Sequence, residues 1–440
     1  MPRSRGLLIA AAVLLGLAGG VWYSNKLEKD KEGKPPADAS PKLLDIPEDQ
    51  FAAIELTKAG SAPVALVREG TDWKMTAPHS VPVDRDAVTS IVSTLSSYSS
   101  DRLVEEKVED LKAFGLDAPA LTASVKKKDG STEKILIGSE TPTGGGYYAK
   151  KDGDPRVFTI YSYNRSSLDK TWKDLRDRRM LPFGIKDVSR VELAKGGQVI
   201  ELGKTGGGDW QILKPGPYRA DNVVVDEVVR KLSEAKMDLS VTDEEAAKAA
   251  SLWSQGQPVV VARVFDASGG KQILIRKNGE HFYARSDAVE GAYRLERGIE
   301  GVDKTLDELR NKKLFDFGFT DPVRVAVIAG GVTTELKRIE LDWQRGGKKM
   351  DGASVSKVID KLREWKSLKF LDSGFTNPQI TIETATESGK PEKVLIAKSG
   401  FRWIAKRDGE PALYELDGKD VEEFEQAVKD LKEASAPEKK

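Results

Sequence analysis

The chain has 440 residues, 39% of them hydrophobic and 32% charged, with 70 basic residues balanced by 70 acidic ones. Single cores stop growing near about 250 to 300 residues, so two to four domains are expected, and this composition fits soluble globular modules rather than disorder or a polytopic membrane protein. The neutral balance leaves no long-range field to gather nucleic acid, and the absence of cysteine excludes disulfides, thiolate nucleophiles, iron–sulfur clusters, cysteine-rich zinc sites and a lipid-modified N-terminal cysteine. The two histidines, His79 and His281, stand far apart in the chain, so no histidine metal site and no cofactor is expected.

Arg3 and Arg5 precede an unbroken apolar run from Gly6 to Tyr23. As a helix that run reaches about 27 Å, enough to cross a bilayer core. Trp22 and Tyr23 would sit at the headgroups and favour a retained anchor, while Ala18 and Gly20 keep open a cleaved signal and a secreted product. Lys26, Lys29, Lys31 and Lys34 outnumber the two arginines and blur the positive-inside rule. The order of basic and apolar segments nonetheless places the bulk of the chain outside the cytoplasm, on the periplasmic side of a single-pass inner-membrane protein. Ser24 to Pro41 is too polar to bury anything and reads as a spacer.

Comparison of the chain with itself finds one helix three times. Asp84, Val88, Ile91, Val92 and Leu95 match Asp221, Val225, Val228, Val229 and Leu232, and then Asp351, Val355, Val358, Ile359 and Leu362, at offsets of 137 and 130 residues. The apolar positions fall at i, i+3, i+4 and i+7, one face of an amphipathic helix, and the leading Asp is placed to cap it. A strand carrying Trp73, Trp210 or Trp343 stands before each helix, and these tryptophans read as core anchors rather than ligand platforms. After each helix a proline (Pro119, Pro258, Pro378) leads into two successive hairpins. The expected fold class is α+β: three tandem repeats of an antiparallel-sheet module with packed helices, preceded by one transmembrane helix. The divisions are a short tail (1–5), the anchor or signal (6–23), a charged linker (24–45), module 1 (46–183), module 2 (184–317), module 3 (318–432) and a polar tail (433–440).

The first two copies end alike, in Asp169-Lys170-Thr171 through Leu175-Arg176 and Asp303-Lys304-Thr305 through Leu309-Arg310. Arg178-Arg179 and Lys312-Lys313 are expected in the last turn of a helix, complementing its dipole rather than forming docking patches. The third copy closes on a different helix, Val421 to Leu431.

Phe114-Gly115-Leu116-Asp117-Ala118-Pro119, Lys134-Ile135-Leu136-Ile137-Gly138, Tyr147-Tyr148-Ala149 and Leu175-Arg176-Asp177 with Leu181 resemble the bacterial domain of unknown function 4340 family. The resemblance is fullest in the first module, partial in the second, where Leu252-Trp253 replaces Phe-Gly-Leu, and loosest in the third. It implies a membrane-anchored envelope protein accessory to an ABC-type transport or gliding-motility system, with a protein partner in that complex, and it supplies no catalytic or ligand residue.

Several patterns mimic chemistry. Ser124-Val125-Lys126-Lys127, Ser162-Tyr163-Asn164 and Lys204-Thr205-Gly206 follow the order of a penicillin-recognising enzyme, which would make Ser124 the nucleophile of an envelope hydrolase or acyltransferase. That chemistry needs Ser at a helix start with Lys one turn on, whereas Ser124 and Lys127 lie on an alternating strand and face opposite ways. Gly197 to Thr205 ends like a phosphate loop, but its glycines are one residue too far apart and no helix pattern follows. Asp84 with Asp86 reads as capping rather than a carboxylate pair, and His79 as a surface residue. The aromatics Tyr147, Tyr148, Tyr161 and Tyr163 are the leading contact surface in the first module, set against core packing. No catalytic, cofactor or metal residue is assigned. The expectation is a non-catalytic interaction protein, with the Ser124 enzyme and a periplasmic solute- or glycan-binding protein as alternatives.

Overall fold

The structure is a computed structural model and describes residues 41–387 and 391–435. The apolar run read as an anchor, and most of the linker after it, lie outside the described residues. Among those described, no helix is long and apolar enough to cross a membrane. The chain forms two compact units, one through Asp177 and the other from Arg178 onward.

In the first unit β1 (Phe51–Lys58), β2 (Val64–Glu69) and β3 (Asp72–Ala77) form a meander, followed by α1 (Arg85–Ser96) and β4 (Arg102–Glu105). Then come β5 (Leu121–Lys127), β6 (Thr132–Glu140), β7 (Gly146–Lys151), β8 (Val157–Tyr161), α2 (Ser162–Leu168) and α3 (Trp172–Leu175). The strands make one eight-stranded sheet in the order β3-β2-β1-β5-β6-β7-β8-β4. All its pairings are antiparallel. α1 therefore connects strands at opposite edges. Its Val88, Ile91, Val92 and Leu95 are buried against alternate residues of the sheet such as Ile54, Leu56, Val125, Ile135 and Ile137. This is the apolar stripe of a 3.6-residue period meeting the period of two in a strand.

The second unit builds this sheet twice more. β9 (Arg190–Lys195), β10 (Gln198–Lys204), β11 (Trp210–Lys214), β12 (Tyr218–Arg219), α4 (Asn222–Ser233), α5 (Asp243–Gln255), β13 (Gln257–Asp266), β14 (Gly269–Asn278), β15 (His281–Ser286), β16 (Tyr293–Arg294) and α6 (Leu306–Leu309) come first. They are followed by β17 (Arg324–Ala329), β18 (Val332–Ile339), β19 (Asp342–Arg345), β20 (Lys348–Lys349), α7 (Gly352–Glu364), β21 (Lys369–Leu371), β22 (Ile380–Ala385), β23 (Glu392–Ser399), β24 (Arg402–Arg407), β25 (Leu413–Leu416) and α8 (Gly418–Lys429). The strand orders are β12-β11-β10-β9-β13-β14-β15-β16 and β20-β19-β18-β17-β22-β23-β24-β25-β21. The fold is thus mostly antiparallel sheet with eight α-helices among the described residues. The first strand of each meander lies at the sheet centre, where β1 pairs with β5, β9 with β13 and β17 with β22.

The repeated long helix of each copy, α1, α4 or α7, is capped by the Asp that precedes it. Asp84 Oδ1 accepts from the amides of Asp86 and Ala87, Asp221 Oδ1 from those of Val223 and Val224, and Asp351 Oδ2 from that of Ser354. The same residues tie the helix to the end of the copy: the amide of Asp84 donates to the Leu175 carbonyl, that of Asp221 to Leu309 and that of Asp351 to Lys432. A second tie lies at the other end of the helix in the second unit. The amide of Met180 donates to the Ala235 carbonyl and that of Leu314 to Trp365, so Met180, Leu181 and Phe183 enter the second core and Leu314 and Phe315 the third.

The sequence motifs of the first copy are explained on the face away from α1. Gly115 ends a one-turn 3-10 helix at φ 64°, and a Cβ on Gly138 would lie 2.2 Å from the Phe114 carbonyl oxygen. Phe114 meets Tyr148 edge to face with ring centroids 4.9 Å apart. In the second copy α5 covers the corresponding strands. Trp253 lies between the guanidinium groups of Arg276 and Arg285, at 4.5 and 4.2 Å, and the glycine at the contact is now Gly256, on the covering segment.

Candidate functional site

The first unit separates most of the residues that sequence patterns group. Ser124 is half-buried on β5, opposite Glu55 and Lys134, while the Lys127 ammonium is 3.0 Å from Glu133, which also binds Lys151 at 2.7 Å. The Glu133 hydrogen bond raises the pKa of Lys127, which is the wrong direction for a proton-accepting lysine. Ser162 begins the short helix α2, and Asn164 donates to the Ser99 carbonyl at 3.0 Å. Lys204 and Thr205 belong to the second unit, where the Lys204 ammonium stands 5.1 Å from the Trp210 ring and the Thr205 amide closes a turn onto Asp209. Gly197 forms the β9–β10 turn, and strand β11 follows the lysine where a phosphate loop needs a helix.

The aromatic residues divide. Tyr147 packs toward the core beneath Arg165, Tyr148 takes the opposite face with Phe114, and Tyr161 and Tyr163 form a separate exposed stack with centroids 5.4 Å apart. His79 packs edge to face on Trp172 at 4.6 Å. Trp210 is buried, and Trp73 and Trp343 are half-buried against their cores.

A cluster of part-buried charge lies within the second unit, where the second sheet meets the third. Tyr218 packs against both hydrophobic cores. The next residue, Arg219, donates to Asp316, to the Lys313 carbonyl at 2.5 Å, to Glu410 at 3.2 Å and to the Tyr414 hydroxyl at 3.1 Å. Tyr414 donates in turn to Glu410 at 2.9 Å, and Arg407 binds the Leu314 carbonyl, Glu392 at 2.9 Å and Glu410 at 2.7 Å. Burial works against charge on Arg219, yet Asp316, Tyr414 and Glu410 outweigh it and hold the guanidinium charged. Planar, multidentate bonding of this kind fixes orientation as well as energy.

Beside this cluster is a cavity of about 330 Å³. Its wall is formed by Asp221 and Val224 at the start of α4, by Lys304 and Glu308 around α6, by Arg310 to Lys313, and by Lys366. Asp221 is engaged in its cap. Glu308 accepts from the Thr305 amide and hydroxyl at 2.9 and 2.8 Å and from Lys304 at 3.1 Å, bonds that hold its carboxyl down to about 2. Lys312, Lys313 and Lys366 make no ion pair among the described residues, although Lys313 and Lys366 are direct partners across an antiparallel bridge. The Arg310 side chain is only 9% exposed. Its guanidinium lies between Tyr218 and Phe370, 4.2 and 3.5 Å from the ring centroids. Its Nε has no hydrogen-bond partner, its Asp307 contact is 3.8 Å, and burial lowers its pKa.

Here the structure corrects the reading of the basic pairs. α3 ends at Leu175 and α6 at Leu309, and Arg176 and Arg310 are already extended. Arg178-Arg179 and Lys312-Lys313 therefore stand beyond the helices, in segments that bridge to Lys236 and Lys366, where no helix dipole needs them. Arg219 and Arg310 escaped sequence reasoning because their partners lie about a hundred or more positions away or on aromatic faces that no local pattern marks.

No curated protein and no solved structure matches the chain. The family model described as Domain of unknown function (DUF4340) matches it twice, over residues 73–255 and 210–388. The two matches overlap and together run across the three tryptophan strands, the helices α1, α4 and α7 and the hairpins of the first two copies, and on that extent the chain belongs to this family.

Proposed function

We propose that the chain is a non-catalytic, membrane-anchored extracytoplasmic scaffold, accessory to an ABC-type transport or gliding-motility system, with its sheets on the periplasmic side of the inner membrane. The observation that carries this reading is the junction within the second unit, where Tyr218 joins two cores and Arg219 binds four groups at the start and end of the third copy. A part-buried, multiply bonded guanidinium suits two sheets held in one body, as a scaffold requires. A receptor that closes around a solute needs a hinge at such a place. The apolar run from Gly6 to Tyr23 supports the anchor, and the family resemblance supports the transport context.

The test is crosslinking and recovery of the full-length protein from its native membrane, beside a version lacking residues 1–23. Recovery of a transporter subunit with the full-length chain alone is expected. Recovery of no specific protein, under conditions that capture a known envelope complex, overturns the partner reading.

A further inference from the structure

We propose that the cavity between α4, α6 and the Arg310–Lys313 segment is a binding site for a multiply charged oxyanion of the phosphate class. The inference does not rest on the scaffold reading, and either can fail alone.

Arg310 carries it. A guanidinium that is only 9% exposed is ordinarily satisfied by carboxylates or carbonyls, because a buried cation without acceptors is costly. This one lies 4.2 and 3.5 Å from the Tyr218 and Phe370 ring centroids, its Nε is unpartnered, its nearest carboxylate, on Asp307, is 3.8 Å away, and the residue lines the cavity. Aromatic stacking attracts the charge but supplies no hydrogen-bond acceptor. Arg219, nearby in the fold and less deeply buried, has its acceptors supplied within the protein.

The surroundings sharpen the identity of the missing partner. Lys312, Lys313 and Lys366 converge on the same space without anions among the described residues, and like charges directly opposite on paired strands repel. The acids on the wall are committed, Asp221 to the helix cap and Glu308 to Thr305 and Lys304. Five cations stand against the two engaged carboxylates of the wall and Asp307 beside Arg310, which leaves a surplus of two positive charges. A phosphate group carries about −1.5 to −2 at neutral pH, and its oxygens match both the guanidinium fork and the point charges of lysine. One phosphate group comes near to balancing that surplus, and a volume of about 330 Å³ admits it, alone or in inorganic pyrophosphate.

The experiment measures melting temperature and calorimetric binding for the full chain with inorganic pyrophosphate, with soluble dihexanoyl phosphatidic acid, and with citrate, at constant ionic strength. Saturable binding of a phosphate probe with a rise in melting temperature is expected. Lys312→Gln with Lys366→Gln, both partly exposed, should weaken it about tenfold or more while the protein stays folded. Asp221→Asn keeps a capping side chain and removes a carboxylate, and should tighten binding several-fold. Stronger binding of pyrophosphate identifies a free phosphate compound, and stronger binding of the lipid identifies a headgroup. Preference for citrate, binding indifferent to all three substitutions, or no binding of either phosphate probe would overturn the site.

Discussion

The second and third copies end at the same backbone position with opposite chemistry. Arg310 bridges to Ala220 and Glu433 bridges to Met350, each just before the cap of its long helix. The amide after each closes on the same neighbour, Asn311 onto the Arg219 carbonyl and Ala434 onto that of Lys349, both at 2.9 Å. Arg310 is buried between aromatic rings, whereas Glu433 is half exposed and paired with Lys348 at 2.7 Å. Arg219 is part-buried in a cluster, whereas Lys349 reaches an exposed pair with Asp342 at 2.8 Å. The backbone plan is common to both copies, so the difference arises from the neighbouring structure. A further sheet covers the end of the second copy, and nothing among the described residues plays that part for the third.

That contrast is broken most directly at Arg219. Arg219→Ala removes a part-buried guanidinium with its bonds to the Lys313 carbonyl and the Tyr414 hydroxyl, while Glu410 keeps Arg407 and Tyr414; it is expected to cost about 2–3 kcal/mol, with the second and third sheets ceasing to unfold together. Lys349→Ala, at the equivalent position, should stay within about 0.5 kcal/mol of the parent, since its pair is exposed. Denaturant unfolding followed by two probes, one in each sheet, checks both; equal effects of the two substitutions would remove the distinction between a buried and an exposed copy end.

A second comparison concerns the face turned away from the long helix. Gly138 in β6 admits the Phe114 carbonyl, whereas in the second copy the close contact is met by Gly256 on the covering segment. Gly138→Ala would place a Cβ 2.2 Å from a backbone oxygen and should destabilise the first unit by about 1–3 kcal/mol. Gly256→Ala meets its nearest atoms at 3.1 Å, Cβ of Arg276 and the Lys277 carbonyl, and should cost less. Thermal unfolding of the two variants orders them.

What the sequence made legible shows the same division between local and distant causes. The three long helices, their Asp caps and the hairpins after them were readable because each rests on a short period or a single turn, as in Val88, Ile91, Val92 and Leu95 or at Gly130. The central placing of β1, β9 and β17 was not, because β1 meets β5 about seventy positions on and no spacing records the pairing. The junction was harder still: Arg219 finds Glu410 and Tyr414 nearly two hundred positions away, and Arg310 takes part through ring faces. The basic pairs were visible as sequence, but their role as extended connectors depends on helices of a single turn, shorter than the pattern suggested.

The caps give a smaller and more uniform effect, which tests whether the copies are equivalent where the chain looks most alike. Asp84→Ala, Asp221→Ala and Asp351→Ala each remove a side chain that accepts from helix amides at 2.8 to 3.3 Å, and each should cost about 0.5–2 kcal/mol. Asn at the same positions should restore most of the loss, since it too accepts from the first turn. Helix stability in the three copies, followed by hydrogen exchange of the first-turn amides, would show one common effect if the cap is the shared device. A markedly larger effect at Asp221 alone would trace to the neighbouring cavity.

The smallest expected effect depends on pH and separates the two carboxylates of the cavity wall. Hydrogen bonds from Thr305, and then from Lys304, hold Glu308 down to about 2 from an ordinary value of 4.5. A carboxyl whose pKa is lowered on folding stabilises the protein fully above its unfolded value, and the contribution is lost as pH falls from about 4.5 toward about 2. The Glu308 side chain is 49% exposed, so solvent screening keeps this contribution under about 1 kcal/mol. Glu308→Gln should therefore lower the melting temperature slightly at pH 7 and match the parent near pH 2. The carbonyl of Gln can still accept from Thr305, which leaves charge as the main difference between the two proteins. A gap that persists unchanged down to pH 2 would assign the loss to packing around α6 instead of to the carboxylate.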